Sequence, residues 1–346
     1  MDIAELTRPD RLGPALVRAT GDDAWADHTA RLITGGKSNL TFELTSAAGS
    51  LILRRPPSGE LLAGAHNMAR EARVQQALAG SAVPVAGIVL VDEAGDLLGV
   101  PSYVMAKVEG HVITDAMPAG YATEPADRAA IAEALITTLA DLHLIDPAAV
   151  GLADLGRPEG FLLRQITLWG RQWESSKTHD VDSITRLGAL LEERLPSTQR
   201  SAIVHGDFRL DNCIMDPSHP STVAAVLDWE MSTLGDPMTD LGMLLFYWRE
   251  TDEEQQLLVQ SVTGEPGFPG RQALAEQYAS LTGVTLDEID YYVAFAHYKF
   301  AVIVQGIAAR VTAGAMAGQD FGDLGSYVDA LAQGGLDILE YLDTKG

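Results

Sequence analysis

Cysteine is almost absent from this chain of 346 residues, where Cys213 stands alone. A single thiol excludes an intrachain disulfide and a cysteine-rich zinc site, and it fits a reducing, cytoplasmic setting. Basic residues are also scarce: 24 lysines and arginines face 48 aspartates and glutamates, a formal net charge of −24. A field of that sign repels phosphate polymers, so nucleic acid is not expected as a partner. The acidity reads first as a solubility device and second as an attraction for cationic small molecules. Apolar runs are short, each broken by Asp, Glu or Arg before the ~18 to 20 residues that a membrane span requires. A soluble chain with no membrane association is therefore expected. The segment from Met1 to Gly13 places acids and a proline where a secretory leader needs a basic stretch and an apolar run, and is expected to stay uncleaved.

What is present describes an ordinary globular protein, with 47% hydrophobic and 21% charged residues. At roughly 150 residues per domain the length suggests about two domains. Pro9 to Thr20 reads as a helix. Residues 30–55 alternate apolar and polar positions between Gly, Ser and Asn, the pattern of two or three antiparallel strands. Residues 65–78 have helical spacing, and 83–105 return to strand-like runs. From about Asp127 helix signals dominate, over 128–145, 161–177, 183–195, 252–263, 271–281, 287–311 and 324–342. One β-type island interrupts them at 202–215 and 223–229. The expected fold is thus α+β: a small antiparallel sheet carrying one helix, then a larger, mostly helical part. The expected division is residues 1–107 and 108–346, with a short hinge that leaves a cleft suited to a small molecule.

The densest polar constellation, His205-Gly206-Asp207-Phe208-Arg209-Leu210-Asp211-Asn212, follows the apolar run Ala202-Ile203-Val204. Its H-G-D-x-x-x-x-N spacing matches the protein-kinase loop H-R-D-x-x-x-x-N, in which a carboxylate faces the acceptor hydroxyl and an amide oxygen faces a metal. A second apolar run, Val223 to Leu227, delivers Asp228 to a strand end, where kinases place a magnesium-binding aspartate. An Asp-x4-Asn alone is common; joined to Asp228 it is specific. The competing reading is a polar turn capped by Asp and Asn side chains.

Together with Thr34-Gly35-Gly36-Lys37-Ser38-Asn39-Leu40-Thr41, Leu51 to Pro57, and Leu234-Gly235-Asp236-Pro237-Met238-Thr239-Asp240-Leu241, these motifs run co-linearly over nearly the whole chain. The sequence resembles the aminoglycoside phosphotransferase and choline kinase group of small-molecule kinases, especially the branch found beside, or fused to, acyl-CoA dehydrogenases. The resemblance implies a protein-kinase-like bilobal fold and transfer of the ATP γ-phosphoryl group to a hydroxyl of a small molecule. It implies Asp207 as catalytic base, Asn212 and Asp228 as Mg²⁺ ligands, and a link to acyl-CoA dehydrogenase chemistry.

The turn Gly35-Gly36-Lys37-Ser38-Asn39 lacks the G-x-x-x-x-G-K-[ST] of a Walker loop. By its context Gly35, Gly36, Ser38 and Asn39 are expected to cover nucleotide phosphates with backbone N–H groups. Strand periodicity puts Ile52 and Arg54 on one face and Leu51 and Leu53 on the other. Arg54 therefore enters the cleft where the kinase fold normally has a lysine, a departure because the two cations differ in geometry. Glu71 is its expected partner, against the alternative of a solvated helical charge. Met105 and Lys107 fall in the hinge whose backbone would read the base, which does not choose between ATP and GTP.

His205 is expected to be structural rather than a proton shuttle. Asp236-Pro237 reads as an N-cap followed by the first helical residue, and Asp240 is expected to brace the loop backbone. Glu230 suits either a metal or cationic acceptor, or an exposed turn. For the acceptor, Tyr298, Lys299, Gln305 and Arg310 are candidates. Lys299 and Arg310 suit an anionic acceptor such as a hydroxyacyl-CoA, whereas the net charge suits a cationic aminoglycoside. Trp169, Trp173 and Trp248 read as core at helical spacing. The alternative function is a nucleotide-binding module without transfer, which Arg54 favours and the Asp207, Asn212 and Asp228 set opposes.

Overall fold

Two faces of one small sheet organise the amino-terminal part. The computed structural model describes residues 2–33, 39–57, 67–254, 260–312 and 324–345. Strands β1 (Thr29–Ile33), β2 (Leu40–Ser46), β3 (Gly49–Arg55), β4 (Ile88–Asp92) and β5 (Ser102–Ala106) form an antiparallel sheet in the order β1-β2-β3-β5-β4. Period-two alternation sends Phe42, Leu44, Leu51, Leu53 and Val104 to one face. There they pack with Leu6 of α1 (Ile3–Thr7) and Leu12 and Leu16 of α2 (Pro9–Thr20). Helix α2 begins on Pro9, where the missing N–H costs nothing, and stops at Gly21, whose φ of 73° only glycine adopts freely.

The opposite face carries Ile52, Tyr103 and Met105, covered by Met68 and Ala72 of α3 (Met68–Leu78). Val74 and Leu78 of the same helix belong to the large helical core. One helix thus serves both cores.

Beyond the sheet, β6 (His111–Val112) pairs with β8 (Cys213–Met215), which pairs with β9 (Val223–Val226), while β7 (Ala202–Val204) pairs with β10 (Thr233–Gly235). These short strands are set among α4 (Pro125–Leu144), α5 (Phe161–Ser176), α6 (Asp182–Glu193), α7 (Met238–Tyr247), α8 (Arg271–Thr282), α9 (Ile289–Thr312) and α10 (Leu324–Lys345). Among the described residues, one helix, in α9, is long and apolar enough to cross a membrane, and most of that stretch is buried inside the fold. Helix α9 is the axis on which α5, α6, α7 and α10 pack.

Three expectations need correction. No helix covers the described part of 252–263, and Val262–Gly264 forms a single 3-10 turn. Arg249 gathers this segment instead: its N–H donates to Thr263 Oγ1 at 2.8 Å and its side chain to the carbonyls of Ser261 and Glu253. The helix expected from Asp236 starts at Met238, with Pro237 as its cap residue. Asp236 Oδ1 nevertheless accepts the Met238 N–H at 3.0 Å, so its capping bond survives the shift. Strands β6 and β10 were not expected, because two or three residues are too few to show a period.

Candidate functional site

Asp207 begins where β7 ends. Gly206 turns the chain there with φ 87°, and a Cβ on it would lie 2.8 Å from that of Met231. Asp240, wholly buried in α7, accepts the N–H of Gly206 at 2.8 Å and of His205 at 2.6 Å. It also meets His143 Nε2 at 3.2 Å. Burial alone raises this carboxyl; the bonds from His143 and His205 prevail and hold it below its usual range. The bracing expected of Asp240 is therefore present. His205 has both ring nitrogens engaged, Nδ1 accepting the Asp207 N–H at 3.2 Å and Nε2 donating to the Leu227 carbonyl at 2.8 Å. Its buried ring lies against Phe208 and Trp229, which leaves it a structural part.

Asn212 Nδ2 donates to the Asp207 carbonyl at 2.8 Å and to Asp207 Oδ2 at 3.0 Å. The amide oxygen of Asn212 is thereby turned away from Asp207. The Asn212 carbonyl accepts the Leu227 N–H at 2.8 Å, and Cys213 pairs with Val226. These bonds carry β9 to its end beside the loop and deliver Asp228 there. Asp228 has φ 63° and ψ 60°, a left-handed conformation that aspartate tolerates better than most residues. Strained backbone of this kind collects at functional positions.

Arg54 on β3 reaches Asp228 from the sheet. Its guanidinium donates to Glu71 Oε1 at 2.6 Å and to Asp228 Oδ1 at 3.1 Å. The Glu71 side chain is fully buried, so the solvated alternative falls. Burial pushes the Glu71 carboxyl up to about 7, with Arg54 pulling the other way. Burial alone lowers Arg54, but Glu71, Tyr103 and Asp228 together carry it above the ordinary arginine value. Arg54 is a permanent cation between two carboxylates.

Asn39 Nδ2 donates to Glu230 Oε2 at 3.1 Å, joining the foot of β2 to the turn after Asp228. Gly35, Gly36 and Ser38 lie outside the described residues. Met105 is an interior position of β5, paired with Ile52 and Ile88. Lys107 lies just past that strand, its ammonium 3.0 Å from Glu43 and 2.9 Å from Glu109.

The acceptor candidates on α9 separate. Tyr298 is buried against Gly170 and Gly188, and Gln305 is buried with Nε2 donating to the Ser176 carbonyl at 2.9 Å. Arg310 is exposed. Trp169, Trp173 and Trp248 are core, as their spacing indicates. Lys299 is buried under the loop, its ammonium donating to the Gly206 carbonyl and lying 5.5 Å from the Trp169 ring centre. Burial lowers it, while Asp207 and Asp240 oppose that shift. Beside it lies a cavity of about 30 Å³, bordered by Gln165, Gly206, Thr233 and Lys299.

Arg209 is a site neighbour that sequence reasoning passed over. It stacks 4.6 Å over the Tyr247 ring, with Nε 2.9 Å from Asp211 and 3.6 Å from Asp207. The signal was its place inside the loop motif, two residues after Asp207.

Among the described residues no group of three His, Cys, Asp or Glu side chains could hold a metal. A cation bound here would need few protein ligands, as Mg²⁺ does: it keeps waters and substrate phosphates around one or two oxygen donors. The Asn212 amide oxygen and the partly exposed Asp228 carboxylate are hard donors of that kind, so the residues present fit Mg²⁺.

The sequence profile of the phosphotransferase enzyme family matches residues 29–276. Human acyl-CoA dehydrogenase family member 11 is 32% identical over 339 residues, which cover 94% of this chain and 43% of that protein. The chain thus spans less than half the length of this relative. A Ralstonia eutropha structure labelled an aminoglycoside phosphotransferase is 31% identical, with a TM-score of 0.82 and coverage of 96% of this chain and 98% of that one. A thermostable mutant of the aminoglycoside phosphotransferase APH(4)-Ia, in ternary complex with ADP and hygromycin B, shares the fold at 13% identity, with a TM-score of 0.60 and coverage of 94% and 98%.

Proposed function

The chain belongs to the phosphotransferase enzyme family, and on that premise we propose that it moves the γ-phosphoryl group of ATP, with Mg²⁺, to a hydroxyl of a small molecule. The observation that carries this reading is the Asn212 junction. Its side chain donates to Asp207, while its main-chain carbonyl accepts the N–H of Leu227, which follows β9 and precedes Asp228. Acceptor-side and metal-side carboxylates are thereby fixed to each other.

Asp207 orients the acceptor hydroxyl and takes its proton as the oxygen bonds to the γ-phosphorus; the bond from that phosphorus to the β–γ bridging oxygen breaks and ADP leaves. Asn212 and Asp228 hold Mg²⁺, which when bound neutralises charge on the phosphate oxygens. Arg54, steadied by Glu71, binds the α and β phosphates. Gly35, Gly36, Ser38 and Asn39 cover the phosphates, and the backbone at Met105 and Lys107 reads the base. The nucleotide lies between residues 1–107 and 108–346.

For the acceptor, a hydroxyacyl-CoA-like metabolite is supported by the relative named for acyl-CoA dehydrogenase, and an aminoglycoside by the structural neighbours. The test follows label from γ-labelled ATP into hydroxyacyl-CoAs, amino alcohols and aminoglycosides. Label in one class selects the acceptor. Magnesium-dependent ATP binding with no transfer to any class would favour the second reading, a nucleotide-binding module, for which the Arg54–Asp228 ion pair is the supporting observation.

A further inference from the structure

Arg54 and Asp228 come from opposite sides of the cleft, and their meeting depends on where α3 stands. Helix α3 supplies Glu71, which sets the Arg54 guanidinium. One residue before Glu71 on the same helix, Arg70 reaches into the helical part. Its guanidinium donates to the Leu155 carbonyl at 2.5 Å and to the Ser232 carbonyl at 2.9 Å. Ser232 closes the 3-10 turn that Asp228 opens, with its N–H on the Trp229 carbonyl at 3.1 Å. That turn is anchored in the core: Trp229 is fully buried and its indole N–H donates to the Val226 carbonyl at 3.0 Å.

We propose that Arg70 is a positioning residue: it docks α3 on the Asp228 turn, so that Arg54 and Glu71 stand in register with the metal-side carboxylate before nucleotide arrives. The inference rests on the nucleotide reading above and adds how that site is assembled. Both acceptors are main-chain carbonyls, which no side-chain rotation can withdraw. Val74 and Leu78 press the next turns of α3 into the helical core, and Arg73 adds a bond to the Gly151 carbonyl at 2.8 Å. Helix α3 and the Asp228 turn therefore behave as one body, and no separate step that swings α3 inward is required for phosphate binding. Both bonds leave one guanidinium nitrogen, Nη2, which the planar group holds between the two carbonyls; a lysine ammonium on its flexible stem holds the same place less firmly.

The test is calorimetric binding of Mg·ATP and of adenosine to wild type, Arg70→Met, Arg70→Lys and Asp228→Asn. Adenosine has no phosphates and reports the base site alone. Arg70→Met is expected to weaken Mg·ATP about tenfold and Arg70→Lys by a smaller factor, losses in the range of one charge-assisted hydrogen bond. Adenosine binding is expected to stay within about twofold of wild type, whereas a general loosening of the fold weakens both ligands. If Arg70→Met does not fold, Arg70→Lys decides by the same comparison. Wild-type Mg·ATP affinity in the folded Arg70 variants, with Asp228→Asn impaired, overturns this inference alone. No Mg·ATP binding by the wild type overturns it together with the nucleotide reading.

Discussion

The guanidinium of Arg54 holds Glu71 at 2.6 Å with one nitrogen and Asp228 at 3.1 Å with the other. A lysine ammonium is a single point charge and cannot reproduce the fork. Arg54→Lys is therefore expected to keep one of the two pairs and to change the Mg·ATP dissociation constant by about threefold to tenfold, read by calorimetry. Arg54→Met leaves Glu71 buried without its cation, and chemical denaturation should show a loss of about 3 kcal/mol. Equal stability of Arg54→Met and wild type would contradict the buried pair.

Asp228 lies in a left-handed conformation that asparagine also tolerates. Asp228→Asn thus removes the charge with little backbone cost. The ATP-induced rise in melting temperature seen only with Mg²⁺ is expected to disappear in this variant, while the ligand-free melting temperature moves little. An undiminished magnesium-dependent shift would remove Asp228 from the metal site.

Lys299 was expected to meet an anionic acceptor, and the structure instead sets its ammonium under the Gly206 carbonyl. Lys299→Met leaves that carbonyl without its donor and takes one positive charge away from Asp207 and Asp240. We expect a fall in turnover of about tenfold, the equivalent of ~1.4 kcal/mol, with the Mg·ATP dissociation constant unchanged. A variant that instead loses acceptor affinity alone would restore the first reading.

Asp240 supplies a pH test. Its folded-state carboxyl is held below the ordinary 3.8 because the bonds from His143 and His205 outweigh burial. A depressed carboxyl contributes stability that is fully present above its unfolded value and is lost as the pH falls toward the folded value. Melting temperature should therefore drop more steeply below about pH 4 in wild type than in Asp240→Asn. Parallel curves would show that Asp240 does not carry this linkage.

Much of the fold was legible because long amphipathic segments announce themselves. The bounds of α2, Pro9 to Thr20, follow from a proline at the first turn and a glycine after the last. The face shared by Ile52 and Arg54 follows from the strand period. The failures are local. Residues 252–263 have helical composition, but in the described part of that stretch Arg249 takes the carbonyls of Glu253 and Ser261, and Gly264, Pro266 and Gly267 follow it. Strands β6 and β10 exist only through partners about a hundred and about thirty residues away along the chain.

Within the site, the spacing of Asp207 and Asn212 is written in the motif, and the pairing of Arg54 with Glu71 follows from one strand and one helix. The Arg70 bridge is different: its acceptors are carbonyls 85 and 162 residues away, which no side-chain pattern encodes. Burial decided Lys299, Tyr298 and Gln305, and burial is set by how α9 packs among its neighbours.

Asp207 carries the central claim, and a single substitution separates its chemistry from binding. An amide in place of the carboxylate retains the size of the side chain and loses the basic oxygen, so Asp207→Asn is the variant to make. We expect it to bind Mg·ATP within about threefold of wild type and to transfer the γ-phosphoryl group about a thousandfold more slowly to whichever acceptor the labelled panel identifies. Wild-type transfer by this variant would contradict the assignment of Asp207 as the base.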